Sequence, residues 1–516
     1  MPVEFTTLSQ LFLTTCRKYP KPELLKAKVD GRWVTLSTAE FARRVRRLSL
    51  GLRALGLGPG DKVALLADSG PDWIIADFAI FCAGGVTVPI FPTLPAEQIR
   101  WIADNAEARL LISAGGVLWE KYDAIRDHLL RLEKAVFLDH GPLPAGGLGP
   151  AGLSLAEAMA LGEKAEAADP GAFDRMALAV QPDDLASIIY TSGTTGLPKG
   201  VMLSHGNFVS NLVSLDDHVP FHETDLILSF LPLSHVLERT GSFLFLFKGC
   251  SIAFAENVAA VAENMVELRP TMMISVPRLF EKIYARVMDQ VRAGSAVKKA
   301  IFFWGVKVGK AAAALSIAHR PVPRWLGFRL KLARRLVFKK ILAKTGGRFR
   351  FFVCGGAPIA ADIQEFFYAV GLIILAGYGL TETAPVLAAN NLRNYRYGTV
   401  GKAMINIDLR IAEDGEILAR GPNVMKGYYK NEAATAEVMA GGWFHTGDIG
   451  FLSEDGYLTI TDRKKDLIVT SGGKNVAPQP IESRILANPH FSSVVVVGAA
   501  RMIISALVVP AFARQE

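Results

Sequence analysis

Leu185-Ala186-Ser187-Ile188-Ile189-Tyr190 runs without a break into Thr191-Ser192-Gly193-Thr194-Thr195-Gly196-Leu197-Pro198-Lys199-Gly200, and then into Val201-Met202-Leu203. The first six residues are apolar and partly β-branched, the pattern of a buried strand. The next ten combine hydroxyls, glycines and one lysine. Glycines let backbone N–H groups close on phosphate oxygens, hydroxyls add donors, and the lysine supplies a point charge. A flexible Ser/Gly linker shares this composition, but a linker would not join a buried strand directly to another apolar run. The Walker pattern is also excluded, because Pro198 precedes the lysine where glycine is required and Gly200 stands where Ser or Thr belongs. The stretch therefore reads as a phosphate-cradling loop hung on a buried strand, in a chain that is not a P-loop NTPase.

Working outward, strand-like runs alternate with helical patterns. Residues 41–57, FARRVRRLSLGLRALGL, place apolar side chains at three and four spacing and stop at Gly58-Pro59-Gly60, which predicts an amphipathic helix. Residues 61–66, 108–113, 185–190 and 271–275 read as strands, so the body is α/β with largely parallel sheets. Residues 78–96 are free of charge but interrupted by Gly84, Gly85, Pro89, Pro92 and Pro95, which suits a buried helix followed by a strand better than a membrane span. Residues 141–153 read as a surface loop. From about Tyr395 short strands and turns such as Ala412-Glu413-Asp414-Gly415 indicate a β-rich lobe. A chain of 516 residues exceeds what one core of about 250–300 residues can organise, so two or three lobes around a cleft are expected.

Cys16, Cys82, Cys250 and Cys354 lie far apart with no metal-binding spacing, which argues against a zinc site and for a reducing compartment. The N-terminus carries Glu4 and reaches Arg17 after a very short apolar run, unlike a signal peptide. A cytoplasmic protein is expected. Charge is uneven: fifteen of the 57 Lys and Arg fall within residues 298–350 without one Asp or Glu, leaving 42 bases against 49 acids elsewhere. That segment interleaves Phe302, Phe303, Trp304, Trp325, Leu326, Phe328, Leu336, Val337 and Phe338 with the bases, as two basic amphipathic helices broken at Pro321–Pro323. Two readings stand side by side: a surface that sits on anionic lipid as a peripheral membrane contact, or a solvated helix face over a core. No nucleic-acid-binding module accompanies the patch, so nucleic acid is not an expected partner.

The YTSGTTGLPKGV string resembles the phosphate-loop signature of the adenylate-forming superfamily. The resemblance recurs in order at Phe230-Leu231-Pro232-Leu233-Ser234-His235, Gly355-Gly356-Ala357-Pro358, Tyr378-Gly379-Leu380-Thr381-Glu382-Thr383, Trp443-Phe444-His445-Thr446-Gly447-Asp448 and Asp462-Arg463-Lys464-Lys465-Asp466-Leu467. SHVLER at 234–239, the basic segment, and SGGKNVAP at 471–478 are most similar to long-chain fatty acyl-CoA synthetases.

That resemblance implies a large N-terminal domain, residues 1–464, of two α/β subdomains with largely parallel sheets plus a small β-barrel-like lobe. A short, truncated α+β C-terminal domain, residues 465–516, would follow a hinge at Lys465. It implies an enzyme that uses ATP and Mg²⁺ to convert a fatty acid to an acyl-adenylate and passes the acyl group to coenzyme A. Thr191, Ser192, Gly193, Thr194, Thr195, Gly196 and Lys199 would hold phosphates. Glu382, with Thr191, would hold magnesium; a single acid in the uncharged run 366–385 suits that role, and a helix-cap carboxylate is its alternative. Gly355, Gly356 and Ala357 would form a floor under adenine beside Tyr378, Gly379 and Thr381. Asp448 and Arg463 would take the ribose, an ionised aspartate offering acceptors to two hydroxyls. His235 would stand at the reacting carboxylate, and Gly472, Gly473 and Lys474 in the loop that serves the thiol.

The resemblance thins beyond the hinge. The last lysine is Lys474, whereas the superfamily carries one near its C-terminus that contacts the substrate carboxylate and α-phosphate. Adenylation slower than in the family is the corresponding expectation. Two alternatives accompany the main reading: a ligase for another acid or a carrier-protein acceptor, and a relative that binds nucleotide or fatty acid without turnover. Neither acyl-chain length nor oligomeric state is written in a motif.

Overall fold

The helix Pro71–Cys82 shows how the first compact unit is organised. Proline at its start and Asp72 in its first turn favour initiation there, and every residue from Asp72 to Cys82 is buried. A helix apolar on all sides must lie inside a core. It connects the strands Lys62–Leu66 and Val86–Pro89, which pair in parallel from Lys62 opposite Val86 to Leu65 opposite Pro89. The computed structural model describes residues 4–138, 147–149, 151–191, 197–469, 475–476, 478–486, 491–498 and 503–510.

Two units emerge, one comprising residues 1–274, 379–386 and 422–437, the other 275–378, 387–421 and 438–516. In the first, an eight-stranded sheet runs Gly427–Tyr428, Lys199–Ser204, Leu185–Thr191, Val86–Pro89, Lys62–Leu66, Ala108–Ala114, Lys134–Leu138, Gly152–Ser154. The six strands from Leu185–Thr191 onward are parallel, as expected where helices cover a sheet's faces. The same unit holds a parallel group of Leu25–Val29, Ser251–Phe254 and Leu226–Ser229. Where a loop was expected over 141–153, residues 139–146 and 150 lie outside the description, and Gly152 already pairs with Ala135. The expected helix at 41–57 is Thr38–Ala54, capped by Ser37, whose hydroxyl accepts from the Glu40 N–H at 3.1 Å. It crosses the helix Leu155–Ala168 at Gly51 and Gly162. A Cβ on either would come within 2.1 Å of a backbone oxygen.

The second unit contains the parallel pair Phe351–Cys354 and Ile374–Gly379, and the helices Pro277–Arg292, Ala296–Ile317, Arg324–Ala333 and Ala361–Val370. Its β-rich lobe is a four-stranded antiparallel sheet in the order Asp408–Ile411, Glu416–Arg420, Phe444–Leu452, Leu458–Arg463. Beyond Lys465 come the helix Pro478–Leu486 and the antiparallel hairpin Phe491–Val497 with Ser505–Pro510. All four cysteines are free thiols.

One ionic knot lies at the centre of the first unit. Asp77 and Arg239 are both fully buried. The guanidinium donates to Asp77 Oδ2 at 2.8 Å and Oδ1 at 2.5 Å, and to Ser187 Oγ at 2.7 Å. Thr87 Oγ1 donates to Asp77 Oδ1 at 2.8 Å, and Ser187 Oγ to the Thr87 carbonyl at 2.7 Å. Trp73, Phe81, Phe208 and Phe243 surround the cation with ring centroids at 5.4–5.8 Å. Removing one partner strands a charge in this apolar setting, so Asp77→Ala is expected to cost about 3–5 kcal/mol in urea denaturation. The double variant Asp77→Leu/Arg239→Met should recover most of that loss. Equal loss in both proteins would show that packing, not the stranded charge, sets the cost.

Candidate active site

The two strands that flank the glycine-rich stretch meet within the first unit's sheet. Leu185–Thr191 and Lys199–Ser204 are antiparallel, with Thr191 opposite Lys199 and Tyr190 opposite Gly200. Ser192, Gly193, Thr194, Thr195 and Gly196 lie outside the described residues. The Thr191 hydroxyl reaches the Lys199 carbonyl at 3.5 Å. Gly200 is required by packing, since a Cβ would stand 2.9 Å from Ile188 Cγ2. The Lys199 ammonium lies 5.0 Å from the ring centroid of Tyr428, within cation–π range.

Tyr428 joins that lysine to the acid expected at a metal. It sits on Gly427–Tyr428, which pairs with the lysine's own strand through Tyr428 opposite Val201. Its hydroxyl donates to Glu382 Oε1 at 2.8 Å. Burial and the Glu382 carboxylate push the phenol's pKa far up, so it remains a donor at any physiological pH. Glu382 is in a short turn, Thr381–Thr383, that is fixed from several sides. The Leu380 N–H donates to Thr383 Oγ1 at 3.0 Å and the Pro385 carbonyl at 3.1 Å, and the Met425 N–H to the Glu382 carbonyl at 2.8 Å. Asn423 Nδ2 donates to the Thr383 carbonyl at 2.7 Å. Ala384 adopts φ +57° before a cis Ala384–Pro385 bond. Gly379 is part of this brace, because a Cβ there would lie 1.8 Å from the Pro385 carbonyl oxygen.

His235 caps the helix Val236–Phe247. Its Nδ1 accepts from the Leu237 N–H at 3.2 Å, which leaves Nε2 as the N–H of a neutral ring. The residue reaches the surface, but desolvation of the ring by the surrounding protein lowers its pKa, which favours the neutral form. One turn on, Glu238 is 1% exposed, and neither of its carboxyl oxygens has a hydrogen-bond partner. Burial pushes that carboxyl up to about 8; Ser229, at the end of the strand Leu226–Ser229, is close enough to offset part of the rise. Thr240 Oγ1 on the same helix reaches the Ala384 carbonyl at 3.5 Å, beside the Glu382 turn.

In the second unit, Tyr378 OH donates to Asp448 Oδ2 at 2.7 Å, and Arg463 Nε stands 3.7 Å from Asp448 Oδ1. Burial and then Asp448 raise the Tyr378 pKa well above its ordinary value, which keeps the phenol a donor. The Gly447 turn, φ +71°, is set by Glu416: its carboxylate accepts from the Gly447 N–H at 2.9 Å, from Lys464 Nζ at 2.9 Å and from His445 Nδ1 at 3.2 Å. After the strand Phe351–Cys354, the Gly355 N–H donates to the Ser275 carbonyl at 3.2 Å, while Gly356 and Ala357 are exposed. Gly356 has φ +81°, a conformation that favours glycine, and a Cβ there would meet Val276 Cγ1 at an ordinary contact distance of 3.8 Å. Lys465 occupies the 3₁₀ turn Lys464–Asp466. Gly472, Gly473 and Lys474 lie outside the described residues.

Lys199, Glu382 and His235 thus belong to the first unit, and Gly355, Gly356, Ala357, Tyr378, Asp448 and Arg463 to the second. Tyr428 and Glu416 escaped sequence reading. Glu238 stood in the quoted SHVLER string but was given no role. Among the described residues no group of three His, Cys, Asp or Glu side chains is placed to hold a metal ion. A divalent cation at Glu382 therefore fits only as one that draws further oxygen ligands from bound phosphates and water, which is how Mg²⁺ is usually held.

Residues 12–429 match the AMP-binding enzyme family model, and 465–516 the AMP-binding enzyme C-terminal domain. The chain is 38% identical over 496 residues to the long-chain-fatty-acid–CoA ligase FadD15 of Mycobacterium bovis, covering 95% of this chain and 80% of that protein. It is 30% identical to the peroxisomal long chain acyl-CoA synthetase 7 of Arabidopsis thaliana, covering 93% and 70%. Among solved structures, ATP-bound MatB from Rhodopseudomonas palustris superposes with a TM-score of 0.71 at 27% identity, covering 97% and 87%. A Mycobacterium tuberculosis fatty acyl CoA synthetase superposes with 0.69 at 24% identity, covering 98% and 88%, a likeness of fold.

Glu238 makes stability depend on pH in a defined direction. An acid with a folded pKa near 8 and an unfolded value of about 4.3 binds more protons when folded, so its contribution to stability is complete below the lower value and lost as pH rises through the upper. The thermal midpoint of Glu238→Gln, relative to the parent, should therefore rise steadily from about pH 5 to about pH 8. A constant difference across that range would mean that the carboxyl is not held neutral.

Proposed function

The chain belongs to the AMP-binding enzyme family, and from that premise we infer that it is an ATP-dependent, AMP-forming ligase joining a long-chain fatty acid to coenzyme A. The observation that carries the reading is the 38% identity, sustained over 496 residues, to a long-chain-fatty-acid–CoA ligase. In the first half-reaction a carboxylate oxygen attacks the α-phosphorus of ATP. The acyl–O–P bond forms as the bond to the β-phosphate oxygen breaks, and pyrophosphate leaves with the electron pair. In the second, the coenzyme A sulfur attacks the acyl carbon, the C–O bond to AMP breaks, and the thiol proton passes to solvent.

This chain's residues serve those steps mainly by holding charge. Lys199 supplies a cation for the triphosphate at the edge of the glycine-rich loop, oriented over Tyr428. Glu382 would hold Mg²⁺, which when bound neutralises phosphate charge. The Tyr428 hydroxyl fixes the Glu382 carboxylate and remains protonated while doing so. Neutral His235 presents Nε2–H as a donor to the fatty-acid carboxylate without trapping it as an ion pair. Asp448, already oriented by Tyr378, accepts from the ribose hydroxyls, with Arg463 beside it. Lys465 is the hinge, and Gly472, Gly473 and Lys474 belong to the loop that serves the thiol. We further propose a cytoplasmic location with peripheral membrane contact through the basic segment 298–350, which carries fifteen bases and no acid.

Pyrophosphate release with ATP, Mg²⁺ and palmitate tests both the reaction and the role of Glu382. The parent is expected to release pyrophosphate, to accelerate with coenzyme A, and to lose about 100-fold in Glu382→Ala. Tyr428→Phe should fall between the two, its loss being one of positioning. Failure of the parent to release pyrophosphate would sink the ligase reading, whereas an unimpaired Glu382→Ala would sink only the assignment of that acid.

A further inference from the structure

The basic segment forms two helices, as its sequence predicts, but the second has an unusual cross-section. Ala296–Ile317 is long and apolar enough to cross a membrane, yet it is a packed helix: Phe302, Gly305, Val308, Gly309, Ala312 and Ala313 are buried. A Cβ on Gly309 would come 2.4 Å from the Ala369 carbonyl, so this face lies against Ala361–Val370. After Pro321 and Pro323 the chain turns into Arg324–Ala333 and continues through a π-helical turn, Arg334–Phe338. Leu326, Ala333 and Val337 on this stretch are buried. Trp325, Phe328, Leu332 and Leu336 are 62%, 71%, 40% and 47% exposed. Spacings of three and four put these four along one stripe, away from the buried face. A helix solvated on its outer face would be polar there; this one is apolar on both.

Bases flank the outer stripe. Arg324, Arg329, Lys331, Arg335, Lys339 and Lys340 are all exposed, and no acid lies between Lys298 and Arg350 to neutralise them. Trp304, Arg324, Trp325, Phe328, Arg329 and Leu332 line a groove of about 690 Å³, with the Arg329 guanidinium 5.8 Å from the Trp325 ring. Aromatic and aliphatic side chains bordered by unpaid positive charge match an anionic bilayer interface, where rings enter the acyl boundary and guanidiniums meet phosphates.

We propose that the outer face of Arg324–Phe338 is a monotopic docking surface for anionic phospholipid bilayers, with Trp325, Phe328 and Leu332 inserted below the headgroups. The occupant is committed by charge complementarity, because a bare Trp/Phe/Leu stripe would suit any apolar partner and the surrounding bases select a negative one. The inference deepens the membrane location proposed above for the enzyme, and its binding test is independent of turnover.

The test is flotation of the full chain, without substrates, on vesicles of phosphatidylcholine alone or with added phosphatidylglycerol, at low and high salt. Binding is expected only with phosphatidylglycerol, weakened by salt, and reduced about tenfold or more in Trp325→Ser/Phe328→Ser and in Arg324→Glu/Arg329→Glu. Far-UV circular dichroism and ligase activity on micellar palmitate should match the parent in both, since none of these residues belongs to the catalytic machinery. Quenching of tryptophan fluorescence by lipids brominated along the acyl chain should drop in Trp325→Phe. The proposal is overturned by absence of vesicle binding, by equal binding to phosphatidylcholine, by variants that bind like the parent, or by a polynucleotide being bound in place of vesicles. Vesicle binding by a chain that releases no pyrophosphate would overturn the ligase reading and leave this one standing.

Discussion

The first unit depends on a charge that cannot reach water. Arg239 satisfies its guanidinium with Asp77 and Ser187 only if the helix Pro71–Cys82, the strand Leu185–Thr191 and the helix Val236–Phe247 hold their places together. Burying such a pair contributes little net stability, since desolvation offsets most of the Coulomb attraction, but any displacement that separates the partners is expensive. Two of the three elements it ties carry candidate site groups. Leu185–Thr191 leads into the glycine-rich loop, and Val236–Phe247 begins with His235 and reaches the Glu382 turn through Thr240. A buried ion pair used in this way fixes register, and catalytic positioning needs that more than it needs additional free energy.

Around that knot, the groups of the first unit keep their protonation states through distinct physical causes. The Tyr428 phenol is held neutral by burial and by the acid it serves, the surface-reaching His235 ring by partial desolvation, and Glu238 by burial with no charged group facing it among the described residues. A site that must bring a carboxylate up to a triphosphate gains from neutral donors, because a fixed charge beside the nucleophile would stabilise the ground state as much as the transition state. Tyr428 links Lys199 to Glu382, its ring centroid standing 5.0 Å from the lysine nitrogen and its hydroxyl donating to the carboxylate.

Sequence made the scaffold legible where periodicity and punctuation agreed. The strands at 62–66, 108–114 and 185–191 lie where apolar runs place them, and the helix expected over 41–57 forms three residues earlier, at 38–54. The ordered motifs singled out Glu382, Asp448, Arg463 and Lys199 as candidates. What they could not give is which side chain a distant residue touches. Tyr428 stands among unremarkable residues, and its partner lies 46 positions away, so nothing local marks it. Glu238 failed for another reason. An acid three residues into a helix ordinarily faces water and complements the helix dipole, so its spelling in SHVLER predicts a solvated carboxylate. Burial there comes from the packing of the unit, which a single helix pattern does not report. The glycines divide similarly: Gly379 sits in a motif associated with nucleotide, yet the contact that forbids a side chain is the Pro385 carbonyl.

The distribution of positive charge separates two kinds of work. Arg239 is wholly paired inside the core, and Lys464 is paired with Asp414 and Glu416 beside the Gly447 turn, so each acts by fixing geometry. Lys199 stands over a ring, and among the described residues no carboxylate neutralises its charge. Along 324–340 the bases have no acid within the segment and stand beside exposed rings, an arrangement that costs solubility unless something negative and apolar covers it. Pairing cations with carboxylates consumes their field locally; leaving them beside aromatic surface preserves that field for a ligand. In the functions proposed above the same physical choice appears twice, once for a triphosphate at a single lysine and once, spread over a helix, for a bilayer. Phosphate is the common chemistry of the two proposals, and the difference lies in whether the base stands alone beside a tyrosine ring or among others along a broad apolar stripe.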